Sequence, residues 1–114
     1  MKEADVVLTP IPQADGVIKN RPAIILREMP PYRDFLVCGV STQLDKEVKG
    51  FDEVISDADE DFQSGGLGTS SLVRLGFLAV LPSRQIIGAI GSISSTRHGK
   101  LVKTLSDYLI KNRA

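Results

Sequence analysis

Short apolar runs divided by turn residues dominate the chain up to residue 93. Asp5 to Thr9 is rich in β-branched residues and stops at Pro10-Ile11-Pro12, because proline lacks the N–H that a central strand donates. Ala14-Asp15-Gly16 is a turn signal. Ala23 to Leu26 reads as a buried strand ending near Pro30-Pro31, and Phe35 to Thr42 is the longest apolar stretch of the first half. Phe51 to Ile55 is shorter. Leu72 to Leu75 and Phe77 to Leu81 are divided by Gly76, and Pro82 ends the second run. Ile86 to Ile93 contains Gly88 and Gly91, which fits a bent or bulged strand. Strands at this spacing, with no helical period between them, predict a small barrel or sandwich.

The period then changes. Leu101, Val102, Leu105, Tyr108 and Leu109 recur every three or four residues, the apolar stripe of an amphipathic helix. Ser94, Ser95 and Thr96 supply N-cap hydroxyls, Gly99 weakens the first turn by up to ~1 kcal/mol, and Lys111 and Arg113 suit the C-terminal end of the dipole. The expected architecture is mainly β: one domain, 1–114, with a terminal helix on the flank of a barrel. Gln13–Lys19 and Asp57–Thr69 read as mobile loops. In the second, Asp57, Asp59, Glu60 and Asp61 repel one another, and Gly65, Gly66 and Gly68 cost entropy to order.

Composition narrows the chemistry. With 114 residues there is no room for a nucleotide-binding domain plus a substrate domain. No apolar run reaches the ~20 residues of a membrane span, and no signal segment opens the chain. A single cysteine, Cys38, and a single histidine, His98, form neither a disulfide nor a closed N/S zinc site. The expectation is a cytoplasmic protein with no metal and no cofactor. Fourteen basic residues balance fourteen acidic ones, but unevenly: residues 1–61 sum to 7 − 13 = −6, and residues 62–114 to 7 − 1 = +6. Such a division either averages out on folding or marks an anionic partner.

Three spots carry polar chemistry. Pro22 holds Arg21 in an extended conformation, which aims a permanently charged fork beside Asn20. Strand alternation puts Ser41 and Gln43 on one face with Phe35 and Val37, and Leu36, Cys38, Val40 and Thr42 on the other. Arg74 stands alone inside an apolar strand and must reach a rim, an ion-pair partner or an anionic ligand. Taken singly, the first two also fit a surface arginine and an ordinary polar strand end. Gly65 to Thr69 lacks the Gly-Lys-Ser/Thr of a phosphate loop, and Gly88 to Gly91 lacks the third glycine of a dinucleotide fingerprint. His98 reads as a surface or capping residue, and Cys38 as core.

Taken in order, Asp5 to Leu8 with Pro10 and Pro12, Arg21 to Leu26, Ser41-Thr42-Gln43, Leu72 to Leu75 and the helical tail resemble the MazF/PemK toxins of bacterial toxin–antitoxin systems. The resemblance covers most of the chain. It implies an SH3-like β-barrel with a C-terminal helix, a homodimer, a cognate antitoxin (with DNA binding through the antitoxin complex) and metal-independent cleavage of single-stranded RNA. By position it makes Arg21 catalytic, with Ser41 as hydroxyl partner and Thr42 able to share or replace that role. It also places RNA contacts at Gln43 and Arg74 and on the 13–19 loop, where Asp15, Lys19 and the adjoining Asn20 lie. The general base stays open, with Asp15 one choice and substrate positioning alone another. Two departures stand out: Ala4 where the family has glycine, and Gly76 where aspartate is common after the strand arginine. The alternatives are a CcdB-like protein that binds gyrase without catalysis, or an inactive homologue serving as an interaction module. Cleavage further requires the Asp57–Asp61 acids to lie away from the Arg21/Ser41 groove, since they would repel phosphate.

Overall fold

The computed structural model describes residues 1–12 and 14–111. Six antiparallel strands form one sheet: β1 (Asp5–Pro12), β2 (Ile18–Met29), β3 (Asp34–Ser41), β4 (Glu53–Ile55), β5 (Ser71–Leu81) and β6 (Gly88–Ser92). Their order is β4-β5-β3-β2-β1-β6. A short helix α1 (Phe62–Gly65) precedes β5, and α2 (Ser95–Leu109) ends the fold. The sheet curls like an opened barrel, with β4 and β6 as its two edges.

The strand runs are apolar almost continuously because each face of the sheet carries an apolar cluster, although Leu78 and Val80 of β5 stay exposed. Val6, Ile24, Leu26, Cys38, Val40, Val73 and Leu75 point to one side, where Leu101 and Leu105 of α2 join them. Val7, Ala23, Ile25, Phe35 and Val37 form a smaller cluster on the other. Burial pushes the Cys38 thiol up to about 12, as suits a core residue with no nucleophilic role.

β1 runs through its prolines where the sequence predicted a stop. Leu8 turns its carbonyl toward Ile87 N–H, and Pro10 and Pro12 share that alternation. The pairing with β6 ends at Leu8, so the prolines face an edge with no strand among the described residues and forfeit no ladder bond. Their opposite edge pairs Pro10 with Asn20 and Pro12 with Ile18. In consequence β2 begins at Ile18, so Lys19 and Asn20 are strand residues and Arg21 lies within the ladder, opposite Thr9. The loop expected over 13–19 is shorter by two residues at its C-terminal end, and Gln13 itself lies outside the described residues.

The 57–69 segment contains the helix α1 and is tied to the rest of the fold by ion pairs. Asp59 and Asp61 converge on Arg97, so their charges are compensated. The Gly65-Gly66 turn of α1 packs against β6. Gly66 has φ +70, and a Cβ there would strike the Ile90 carbonyl. A Cβ on Gly91 would collide with Ser64 O and Gly65 C, all backbone. Gly91→Ala is therefore expected to lower the unfolding free energy by about 1–3 kcal/mol, read from the urea midpoint. An unchanged midpoint would show that α1 can withdraw freely. The bulge foreseen in this last strand is present: Val6 pairs with Gly91 and Val7 with Ala89, leaving Ile90 extra.

Ala4 occupies the left-handed region, φ 77, which glycine adopts at lower cost. Its N–H donates to Ile25 O and its carbonyl accepts from Ile93 N–H, both at 2.9 Å, and these bonds hold the conformation.

Helix α2 starts as expected, Ser94 Oγ accepting the Arg97 N–H at 3.1 Å. His98 is less peripheral than predicted: its Nε2 lies 2.8 Å from Leu26 O, a bond that ties the helix to β2. The apolar stripe is buried only at Leu101 and Leu105, because the helix runs off the core at its end. Tyr108 and Leu109 are exposed, and Tyr108 tilts against Phe51 with ring centroids 5.1 Å apart. Lys111 lies beyond the last helical residue, and Arg113 falls outside the described residues. No helix among the described residues is long and apolar enough to cross a membrane.

Candidate active site

On the sheet face opposite α2, the smaller apolar cluster gives way at the strand ends to a groove of about 410 Å³. Arg21, Ser41, Thr42, Gln43 and Arg74 all line it, from three different strands and the turn after β3. Asp15, Lys19 and Asn20 do not. Asp15 Oδ1 accepts the Val17 N–H at 2.9 Å, an Asx turn that shapes the β1–β2 connection.

Each polar group is set by its strand. Arg21 has the alternation of Ala23 and Ile25, so its side chain leaves the same face as the small cluster. Ser41 ends β3 on the face of Phe35 and Val37, and its Oγ accepts the Gln43 N–H at 3.0 Å. That bond occupies an oxygen lone pair and leaves the hydroxyl hydrogen for another acceptor.

Arg74 owes its place to a kink. Between the pairs Cys38–Leu78 and Gly39–Arg74, β5 carries Leu75, Gly76 and Phe77 with no partner on β3. The stranded Leu75 N–H is taken by Asp52 Oδ1 at 3.0 Å, and the other oxygen of this buried carboxylate accepts from Val48 N–H at 2.9 Å. The kink brings Phe77 back toward the groove, where it touches Gly39 and lies beneath the Arg74 guanidinium, 5.9 Å from ring centre to Cζ. The neighbour of Arg74 in the groove is thus an aromatic ring. Ser71, whose Oγ donates to Thr69 O at 2.8 Å, completes one wall. Sequence reasoning missed Asp52, Ser71 and Phe77; only the unexplained Gly76 break marked the place.

The electrostatics are one-sided. Among the described residues lining the groove, the only charged side chains are the two arginines, with no carboxylate, histidine or thiol. The acids lie elsewhere. Glu53, Asp59, Glu60 and Asp61 line a separate groove with Arg97 and Lys100, which shares no lining residue with the first. The Arg97 hydrogen bond holds the Asp61 carboxyl below the usual carboxylate range, against the opposing effect of burial. Among the described residues no group of three or more His, Cys, Asp or Glu side chains could hold a metal ion.

Among solved structures, the chain is similar to the toxin MazF-mt6 of Mycobacterium tuberculosis, with 15% identity and a TM-score of 0.68 over 96% of this chain and 99% of that one. No family model matches the sequence, and no curated protein does. The shared property is the fold: a curled antiparallel sheet with a C-terminal helix.

Proposed function

We propose, from this MazF-type fold and the groove it carries, that the protein is a metal-independent endoribonuclease toxin cutting single-stranded RNA at short motifs. The observation that carries the reading is the gathering of Arg21, Ser41, Thr42, Gln43 and Arg74 around one groove free of acidic side chains. A polyanion meets two fixed cations there and no carboxylate to repel it.

The reaction needs nothing beyond the substrate's own nucleophile. The ribose 2′-oxygen attacks the adjacent phosphorus, the bond from phosphorus to the 5′-oxygen breaks, and a 2′,3′-cyclic phosphate and a 5′-hydroxyl result. The 2′ proton passes to solvent and the leaving oxygen takes one up. Charge gathers on the phosphate oxygens in the transition state, where the Arg21 fork and the Ser41 hydroxyl stabilise it. Arginine keeps its proton in proteins, so Arg21 is a charge stabiliser and not the base. Asp15 is engaged in its turn, which leaves positioning of the 2′-hydroxyl as the main aid to attack. A second copy of the chain and an antitoxin are the protein partners in this reading, in the cytoplasm.

Incubation with a long RNA in EDTA, followed by mapping of the ends, tests it. Expected are cuts at a repeated short motif, with cyclic phosphate and 5′-hydroxyl termini. Cuts that EDTA abolishes, or no cuts at all, would overturn the proposal and favour a non-catalytic binder.

A further inference from the structure

We infer that Phe77 is a base-stacking platform for the nucleotide lying beside the scissile phosphate. The inference rests on the reading of the groove as an RNA site and adds a residue that the sequence motifs did not include.

Phe77 is 46% exposed, at the point where β5 passes from buried Leu72, Val73 and Leu75 to a half in which Leu78 and Val80 are exposed on the side of the strand opposite Phe77. Its alternation partners Ala79 and Leu81 pack into the smaller cluster, but the kink lifts Phe77 out of that cluster and into the groove wall. The position is built, not incidental. Asp52 secures the kink from below, and a Cβ on residue 39 would come within 2.8 Å of Phe77 Cδ1, so only glycine at 39 admits the ring here without displacement. A ring left nearly half exposed contributes less to the fold than a buried one.

The neighbours indicate what covers it. Single-stranded nucleic acid is bound by pairing a π-surface for the base with a cation for the backbone, because every base has a flat face and every linkage a charge. Phe77 and Arg74 form such a pair at 5.9 Å, within the range of cation–π attraction that steadies the guanidinium over the ring. Arg21 and Ser41, which engage the phosphate in the proposed reaction, line the same groove. A base on Phe77 thus fixes the sugar whose 2′-oxygen must line up with the phosphorus. The same surface suits any base, so Phe77 contributes affinity and alignment, while the Gln43 amide is placed to read a base edge.

The test uses the absence of tryptophan from the chain. In Phe77→Trp the indole is the sole tryptophan and reports directly on stacking. A short single-stranded oligodeoxynucleotide, which cannot be cleaved through a 2′-hydroxyl, should quench its emission, whereas an abasic oligonucleotide of equal length should not. In cleavage assays Phe77→Leu should raise KM about tenfold or more, with Phe77→Tyr close to the parent. Quenching without cleavage would remove the enzyme reading alone and leave the platform standing. Equal emission with both oligonucleotides, or a parental KM in Phe77→Leu, would overturn it, the ring then being a packing element or a contact for a protein partner.

Discussion

Arg97→Ala is expected to lower the unfolding free energy by about 3 to 5 kcal/mol near neutral pH, measured by urea denaturation. The guanidinium is nearly saturated. Nε and Nη2 grip both oxygens of Asp61 at 2.8 and 3.1 Å, Nη2 reaches Asp59 at 2.8 Å, and Nη1 reaches Glu53 at 3.0 Å and the Val54 carbonyl at 3.3 Å. The side chains of Asp61 and Glu53 are 6% and 12% exposed, so removing the cation leaves two dehydrated carboxylates facing each other. Glu53 Oε2 is already buried without a hydrogen-bond partner, and Lys100 at 4.0 Å cannot take over from Arg97. The location magnifies the loss. Val54 and Glu53 belong to edge strand β4, while Asp61 also binds Ser94 N–H just after edge strand β6, so the clamp closes the seam where the sheet's own ladder ends.

Acid should diminish the difference. In the parent the Asp61 pKa is lowered by Arg97, so its stabilisation is complete above the unfolded value near ~3.9 and fades as pH falls through the folded one. In Arg97→Ala burial acts without that opposition and favours the protonated acid, so acidification relieves the variant while it weakens the parent. The gap between the two should therefore be smaller at about pH 4 than near neutrality. A loss below about 1 kcal/mol, independent of pH, would mean that water replaces the guanidinium at no great cost.

Arg21→Ala should reduce kcat for RNA cleavage by about 100- to 1,000-fold, the range for removing one donor aimed at a developing oxyanion. The fold should survive, because the Arg21 side chain is exposed and its backbone pairing to Thr9 is kept. Arg21→Lys keeps the charge but loses the planar fork, so its rate should fall between those of the parent and the alanine variant. Arg74→Ala removes a contact present before and during the reaction, and its effect belongs in KM. Parental kcat in Arg21→Ala, with unaltered circular dichroism, would move the chemistry out of this groove.

The strands were legible because their signals are local. Alternation along Phe35 to Thr42 assigned both faces correctly, the serine cap of α2 stands next to the helix it starts, and paired glycines marked the bulge in β6. The elements misjudged depend on distant partners. Local rules make proline end β1, but whether it does so is decided by the pairing with β6, which stops at Leu8. Local charge makes four neighbouring acids repel one another, but the fold delivers a guanidinium from residue 97 to two of them and leaves its groove separate from that of Arg21.

Arg74 could be named from the sequence because it interrupts an apolar strand, whereas Arg21 and Ser41, ordinary taken singly, were picked out by the resemblance of the ordered motifs. Their meeting in one groove could not be read there, because it depends on registers that pair Ala23 with Gly39 and Gly39 with Arg74. By itself the sequence determined where the apolar centres of the strands lie, which face their side chains take and where the polar interruptions fall, all consequences of period-two geometry and backbone chemistry, while the strand ends at Pro12 and Ile18 escaped it. The tertiary structure alone decided the three-residue kink of β5, the carboxylate that secures it, the aromatic ring it exposes and the arginine that closes the sheet. These arise where hydrogen-bond ladders fail, and a failed ladder has no local signature.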